Sequence, residues 1–360
     1  MSQTMPHPTP RPDRSSTNAS LFAGRAVFAT RWGGPDVLRV AECQVGPPTS
    51  DQIVVEVAAA GVAFVDILLR EGLQRKLRPP VIPGHDAAGV VRAVGTDVHD
   101  LREGDSVAVW TGSTGGYATH VVVPRAAAVR YPAELAAASV TSLVLNYVTA
   151  WQMLTRSAAV ADGATILVHS AAGGVGSALL ELGALRGMTM FGTASAAKAD
   201  FVAQLGGIPI DYRSEDYAKQ VRAHAPAGID AVFDAVGPAS WKRALPLLRP
   251  GGHLVVYGVS SAFKNGRRNI PGLLSGLLRA PRTSYLTYLL KGVGVSGYDS
   301  DKVIPAHPDW FAQDLSYLIG LLADGKIAPH IHRTFALEDA GEAQQELGAG
   351  RATGKIVLTP

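Results

Sequence analysis

Residues 168–177 read VHSAAGGVGS, set between the apolar run ATILV at 164–168 and the helical pattern GSALLELGALRG at 176–187. Against the dinucleotide fingerprint G-x-G-x-x-G, Ala171, Gly173 and Gly176 take the three small positions, with alanine in the first. The physics of the motif survives that alanine. Gly173 and Gly174 let the backbone approach a pyrophosphate, Gly176 lets the helix pack closely on the strand, and the helix N-terminus offers free N–H groups. An ordinary glycine turn is the plain alternative. A strand before the turn and an amphipathic helix after it favour the nucleotide reading.

Working outward, TMFGTAS (189–195) reads as a second strand and AKADFVAQLG (197–206) as a second helix. IDAVFDAVG (229–237) and GGHLVVYGVS (251–260) read as later strands, with SWKRALPLLRP between them. Strand and helix alternating at this interval predict βαβ units and a doubly wound parallel sheet, an α/β fold. Upstream, QIVVEV (52–57), AGVVRAV (88–94), DSVAV (105–109) and ATHVVV (118–123) are short runs between glycines and prolines, which suggests a barrel or sandwich. The pattern turns helical over 134–156. Past residue 310 come a helix over 311–324, a short strand HIHRTFAL, a helix over 337–347 and a closing strand GKIVLTP.

Composition narrows the function classes. The chain has 360 residues, 47% hydrophobic and 18% charged, enough to bury a large core and to exclude wholesale disorder. Its 39 glycines exceed the usual ~7%, in keeping with many tight turns. Cys43 is the only cysteine, which excludes a disulfide framework and cysteine-rich zinc modules. A net charge of +3 without a long basic block gives no reason to expect nucleic acid. Residues 1–20 alternate prolines with small polar residues, lack the apolar core of a signal peptide and read as a flexible tail. Residues 135–155 carry no charge and are long enough to span a bilayer, but Ser139, Asn146, Thr149 and Gln152 interrupt them. That stretch reads as buried helix, and the protein as soluble and cytoplasmic.

The second strand decides which nucleotide is expected. An NAD site places Asp or Glu about 20 residues past the motif, on the ribose 2′-hydroxyl. Counting from Gly173 reaches Thr193, and GTASAAK (192–198) holds no carboxylate. Ser195 and Lys198 instead suit a 2′-phosphate, although Ser195 equally suits a helix N-cap and Lys198 a solvated face. The missing acid and the present cation favour NADPH.

Taken together, PGHDAAGVV (83–91), GGYA (115–118), NYVTAW (146–151), AAGGVG and GTASAAK resemble the medium-chain dehydrogenase/reductase superfamily. Within it the chain is most similar to the zinc-free quinone oxidoreductases, including ζ-crystallin. IDYRSEDY, YGVSSAFKNGRRN, KIAPHI and TGKIVLTP are typical of the vesicle amine transport protein-like branch. The resemblance covers 21–360. It implies a GroES-like β-barrel catalytic domain (21–147), a Rossmann NADPH-binding domain (148–298), and a return segment (299–360) that completes the first. It also implies a homodimer. Carried over by motif, Thr149 would sit near the nicotinamide amide, and Ala172, Gly173, Gly174 and Val175 would hold the pyrophosphate. Ser195, Lys198 and Tyr212 would surround the 2′-phosphate. Val236, Gly237, Tyr257 and Gly258 would flank the ribose and nicotinamide, and Thr353 would touch cofactor; Tyr257 and Thr353 read equally well as core and turn residues.

Metal is not expected. Zinc relatives supply Cys, His and Cys at the catalytic site, whereas residues 61–66 read GVAFVD with no cysteine, and His85 alone makes no site. His330 and His332 share a strand face without a third ligand. A reductase without a Lewis acid favours acceptors already activated by conjugation, namely quinones, enones and 2-alkenals. The chain departs from the family pattern at Ala63, where an Asn is usual, at Gln74, where a Tyr is frequent, and at Asp86. Asp66, Tyr147 and His85 are the candidate catalytic groups, each with a structural alternative: a loop hydrogen bond for Asp66, packing for Tyr147. The leucine- and arginine-rich segment 263–291 reads as packing over the cleft or against a partner subunit in preference to lying on a membrane. Two other functions fit the same residues: an enoyl reductase tailoring a polyketide or acyl intermediate, and an NADPH-binding adaptor with little turnover.

Overall fold

The computed structural model describes residues 21–73, 77–213, 216–264, 266–269, 271 and 285–360. The 1–20 tail, Gln74 and most of the leucine/arginine segment lie outside the described residues.

Six parallel strands form the sheet that the fingerprint predicts. Their spatial order is Ile208–Asp211, Thr189–Ala194, Thr165–Val168, Ile229–Asp234, Leu248–Val256 and Gly294–Gly297. Numbered along the chain that is 3-2-1-4-5-6, the doubly wound order, whose switch point falls between the first and fourth strands. Ile166, Leu167 and Val168 are fully buried, as a strand covered on both faces requires. The strand foreseen over 229–237 stops at Asp234, because the Asp234 carboxylate turns back to accept the N–H groups of Val236 and Gly237.

A second, mostly antiparallel sheet runs Ile331–Ala336, Lys355–Thr359, Gln52–Val62, Asp86–Val94, Ser106–Trp110 and Ala128–Arg130, with His120–Pro124 paired to the first half of Gln52–Val62. The C-terminal strand Lys355–Thr359 pairs Ile356 with Val62, so the end of the chain completes a sheet begun some 300 residues earlier. A hairpin of Phe22–Ala29 and Leu38–Val45, not marked as strands in the sequence, packs beside it.

The uncharged stretch forms a helical run over 137–157 that tightens and widens in turn, with π-helical turns at Leu143–Tyr147 and Met153–Ser157. Val140, Leu143, Val144, Met153 and Leu154 have no exposed surface. Gln152 is satisfied inside the protein: its Nε2 donates to Asp314 at 2.8 Å and its Oε1 accepts from the Tyr298 hydroxyl at 2.7 Å. Among the described residues, no helix is long and apolar enough to cross a membrane.

Candidate nucleotide cleft and its buried histidine

Between the two sheets, at the switch point, lies a cleft of about 900 Å³. Its floor is the glycine turn. Gly173 is the N-cap of helix Gly174–Leu185 and carries no capping side chain, so the first-turn N–H groups are left for an anion. A Cβ on Gly176 would lie 2.3 Å from the Ser170 carbonyl oxygen, and one on Gly174 would lie 2.3 Å from Asn146 Nδ2. Gly176 thus brings the helix as close to the turn as a missing Cβ allows, and the uncapped helix end beside it is of a kind that fits a dinucleotide pyrophosphate. Asn146 and Thr149 line the cleft from the helical run, and Tyr257 and Gly258 line it from the end of the fifth strand. Asn146 is a cleft residue that the sequence reading left out, although it opens the NYVTAW motif.

The return segment lies across this turn. Gly354 N–H donates to the Ala172 carbonyl at 2.9 Å, and Gly354 itself lines the cleft. Ala172 does not line it. Thr353 sits one residue back, its hydroxyl 3.2 Å from His330 Nε2 and 3.4 Å from His332 Nδ1.

At the ends of the second and third strands the structure brings Ser195, Lys198 and Tyr212 close together. Tyr212 N–H donates to the Ala194 carbonyl, beside Ser195, and the Lys198 backbone N–H donates to the Ser195 carbonyl. Lys198 Nζ donates to the Ala352 carbonyl at 2.5 Å, and burial lowers its pKa. Half-exposed Tyr212 has the Arg213 guanidinium 5.6 Å from its ring centre, a second cation that motif comparison did not single out. The expected roles of Val236 and Gly237 meet a structural obstacle: both N–H groups are held by Asp234, and the residue that reaches the cleft is Ala235.

The three catalytic candidates part company. The Tyr147 hydroxyl donates to Glu181 at 2.5 Å, and Tyr147 does not border the cleft, which corrects its expected reach to substrate. Burial and the Glu181 carboxylate push its pKa up. Asp66 lies on helix Phe64–Arg70, whose far end is pinned by the buried Arg70 guanidinium donating to Gln344 and to the Gly33 and Gly266 carbonyls. The Asp66 carboxylate accepts Ala63 N–H at 2.8 Å, Gly84 N–H at 3.2 Å, the Tyr117 hydroxyl at 2.9 Å and His85 Nδ1 at 2.7 Å. It is fully buried and organises the loop instead of meeting a ligand. His85, also fully buried, turns Nε2 towards Asp301 Oδ1 at 3.7 Å. Asp301 accepts the Ser113 hydroxyl at 2.7 Å, and both Asp301 and Ser113 line the cleft. Burial by itself lowers the His85 pKa, but the Asp301 and Asp66 carboxylates outweigh it and raise the pKa to about 9. Behind His85, Asp86 and Lys355 form a buried ion pair.

The residues do not fit zinc. His85 Nδ1 is committed to Asp66, Ala63 stands where a first ligand would be needed, and no group of three or more His, Cys, Asp or Glu converges among the described residues.

A family model described as "Alcohol dehydrogenase GroES-like domain" matches residues 49–133, and one described as "Zinc-binding dehydrogenase" matches 205–358. The synaptic vesicle membrane protein VAT-1 homolog of Danio rerio is 33% identical over 344 residues, covering 94% of this chain and 70% of its own. A quinone oxidoreductase of Pseudomonas aeruginosa is 31% identical, covering 94% of this chain and 100% of its own. Among solved structures, Escherichia coli quinone oxidoreductase complexed with NADPH superposes with a TM-score of 0.83 at 25% identity, over 93% of this chain and 100% of that one.

Proposed function

The chain belongs to the medium-chain dehydrogenase/reductase family, among its quinone oxidoreductases and VAT-1 homologues, and from that premise we propose that it is an NADPH-dependent reductase of quinones, enones or 2-alkenals. The observation that carries the reading is the inter-sheet cleft, which joins the uncapped fingerprint helix to a wall of Val62, Ala63, Phe64, Val65 and Leu68. The first-turn N–H groups from Gly174 onward bind the pyrophosphate. Lys198, with Arg213 and Tyr212 beside it, takes the 2′-phosphate, and no carboxylate stands at Thr193 to prefer a free ribose hydroxyl. Thr149, Tyr257 and Asn146 orient the nicotinamide end.

When bound, the dihydronicotinamide supplies a hydride. The apolar wall of Phe64 and Leu68 keeps water from the reacting carbon. With no set of zinc ligands among the described residues to assemble a Lewis acid, reduction is easiest where conjugation spreads the new negative charge onto a carbonyl oxygen. A homodimer is part of this reading: strand Gly294–Gly297 is an edge strand with Val295 exposed, a surface suited to pairing with a second copy.

The test is NADPH oxidation followed at its absorbance with 1,4-quinones, enones and 2-alkenals. Steady turnover on at least one class is the expected result. Tight NADPH binding without oxidation by any acceptor would refute the reductase and leave the low-turnover adaptor.

A further inference from the structure

Two buried atoms face each other at the substrate end of the cleft with nothing to satisfy them. His85 Nε2 and Asp301 Oδ1 each lack a hydrogen-bond partner, and they stand 3.7 Å apart. The tautomer of His85 follows from its other nitrogen. Asp66 already receives Ala63 N–H, Gly84 N–H and the Tyr117 hydroxyl, so it is an acceptor, and His85 Nδ1 beside it must carry hydrogen. In a neutral His85 ring, Nε2 would then turn a bare lone pair towards a carboxylate oxygen. Two acceptors confined together repel; one proton between them turns the repulsion into a charge-assisted bond. The pair therefore stores a proton, whichever atom carries it at a given instant.

The charged and titratable surroundings agree. Asp66 and Tyr117 lie on one side of His85, Asp86 and Lys355 behind it, and Asp301 with Lys302 towards the cleft. Burial disfavours the Asp301 carboxylate, but His85 and Ser113 hold its pKa below the ordinary value. Asp301, Ser113 and Lys302 of this group border the cleft, while His85 is sealed behind them.

We propose that Asp301 is the catalytic acid that hands a proton to the reduced acceptor, and that His85 refills it from behind. The proposal rests on the reductase reading above. Hydride arriving at the β-carbon of an enone pushes the π electrons onto the carbonyl oxygen and leaves an enolate. The shared proton moves from His85 Nε2, whose electron pair stays on nitrogen, onto the Asp301 carboxylate, and the Asp301 O–H bond then breaks as the proton bonds to the α-carbon or the oxygen. Delivery leaves His85 neutral and Asp301 a carboxylate, one proton short of the resting pair. Neutral His85 regains a proton from solvent, so the net uptake is one hydride and one proton. The 3.7 Å separation suits a relay that tightens when the cleft fills, since catalytic hydrogen bonds are often long before substrate binds. Asp66 acts as a positioning residue, fixing the ring.

The experiment compares wild type with Asp301→Asn and Asp301→Glu, using NADPH and a 2-alkenal, with kcat followed across pH. Loss of a general acid predicts a fall in kcat of roughly 100-fold for Asp301→Asn. NADPH Kd should stay close to wild type, and Asp301→Glu should recover part of the rate. The wild-type fall in kcat towards high pH should disappear in Asp301→Asn. In ¹⁵N-histidine NMR, the His85 titration should move to lower pH in Asp301→Asn, a readout that needs no turnover. An Asp301→Asn variant with wild-type kcat and an intact alkaline limb, or an unmoved His85 titration, overturns the proton assignment and leaves the reductase standing. Wild type with no turnover on any acceptor overturns both.

Discussion

Replacing Lys355 with Met should cost more stability than any surface change in this protein. Lys355 is 3% exposed, its Nζ is bonded to Asp86 Oδ2, and Asp86 is fully buried with its second oxygen, Oδ1, unpartnered. Methionine matches the length of the lysine stem, so packing changes little and the loss is electrostatic. Removing one member of a buried pair leaves the other charge desolvated and uncompensated, typically costing about 3–5 kcal/mol. Asp86 answers in part by keeping its proton, since burial already pushes its pKa up, which places the expected cost near the lower figure. Converting Asp86 to Asn in the same chain removes the stranded charge, and the double variant should regain about half of the loss. Urea denaturation, followed separately by tryptophan fluorescence and far-ultraviolet circular dichroism, reads the single variant as a midpoint lowered by roughly 1 M or more. A Lys355→Met midpoint within 0.2 M of wild type, a margin of about 0.5 kcal/mol for an ordinary slope, would refute the reasoning.

Three further outcomes are expected. Lys198→Ala should weaken NADPH by about 10- to 100-fold in fluorescence titration, the worth of a charge-assisted bond, and leave NADH within a factor of about two; equal losses would remove the phosphate assignment. Gly176→Ala should abolish NADPH binding while the circular dichroism spectrum is retained, because its Cβ would meet backbone atoms of Ser170 and Ala171 at 2.3 and 2.7 Å; unchanged affinity would show that the turn yields without loss. His85 has a folded pKa near 9 against an ordinary 6.5, so its contribution to stability is fully present below about pH 6.5 and fades as pH rises through 9. The shift corresponds to about 3 kcal/mol, and His85→Gln should flatten the decline of denaturation midpoint between pH 6.5 and 9.5; a decline as steep as wild type would count against the shared proton.

The sequence carried the parallel sheet well, because its strands are continuous apolar runs such as ATILV and its helices follow glycine turns. The fingerprint glycines were legible for the same reason: their role is local, and a missing Cβ is visible in the letter itself. The hairpin of Phe22–Ala29 and Leu38–Val45 was harder to mark, since its exposed face mixes Arg25, Arg39 and Glu42 among apolar residues. Direction of side chains was not legible at all. Tyr147 and Asn146 are neighbours in one motif, yet a π-helical turn sends the first to Glu181 and the second into the cleft. Asp301 carries no local signal, and it meets His85 from more than 200 residues away only because the parallel sheet and the barrel close on each other. Nothing in the sequence near Val236 and Gly237, expected to flank the ribose and nicotinamide, marks that Asp234 takes both of their amides and that Ala235 is the residue at the cleft.

The backbone bond from Gly354 to Ala172 has a consequence for how the protein breathes. It fastens the last strand of one sheet to the nucleotide turn of the other, so the free energy of a bound dinucleotide is shared with the seam between them. A ligand present at 100 times its Kd adds about 2.7 kcal/mol to whatever opening would expel it. Slower exchange of the Gly354 amide with deuterated solvent would then report cofactor occupancy from the far end of the chain, without reference to any reaction.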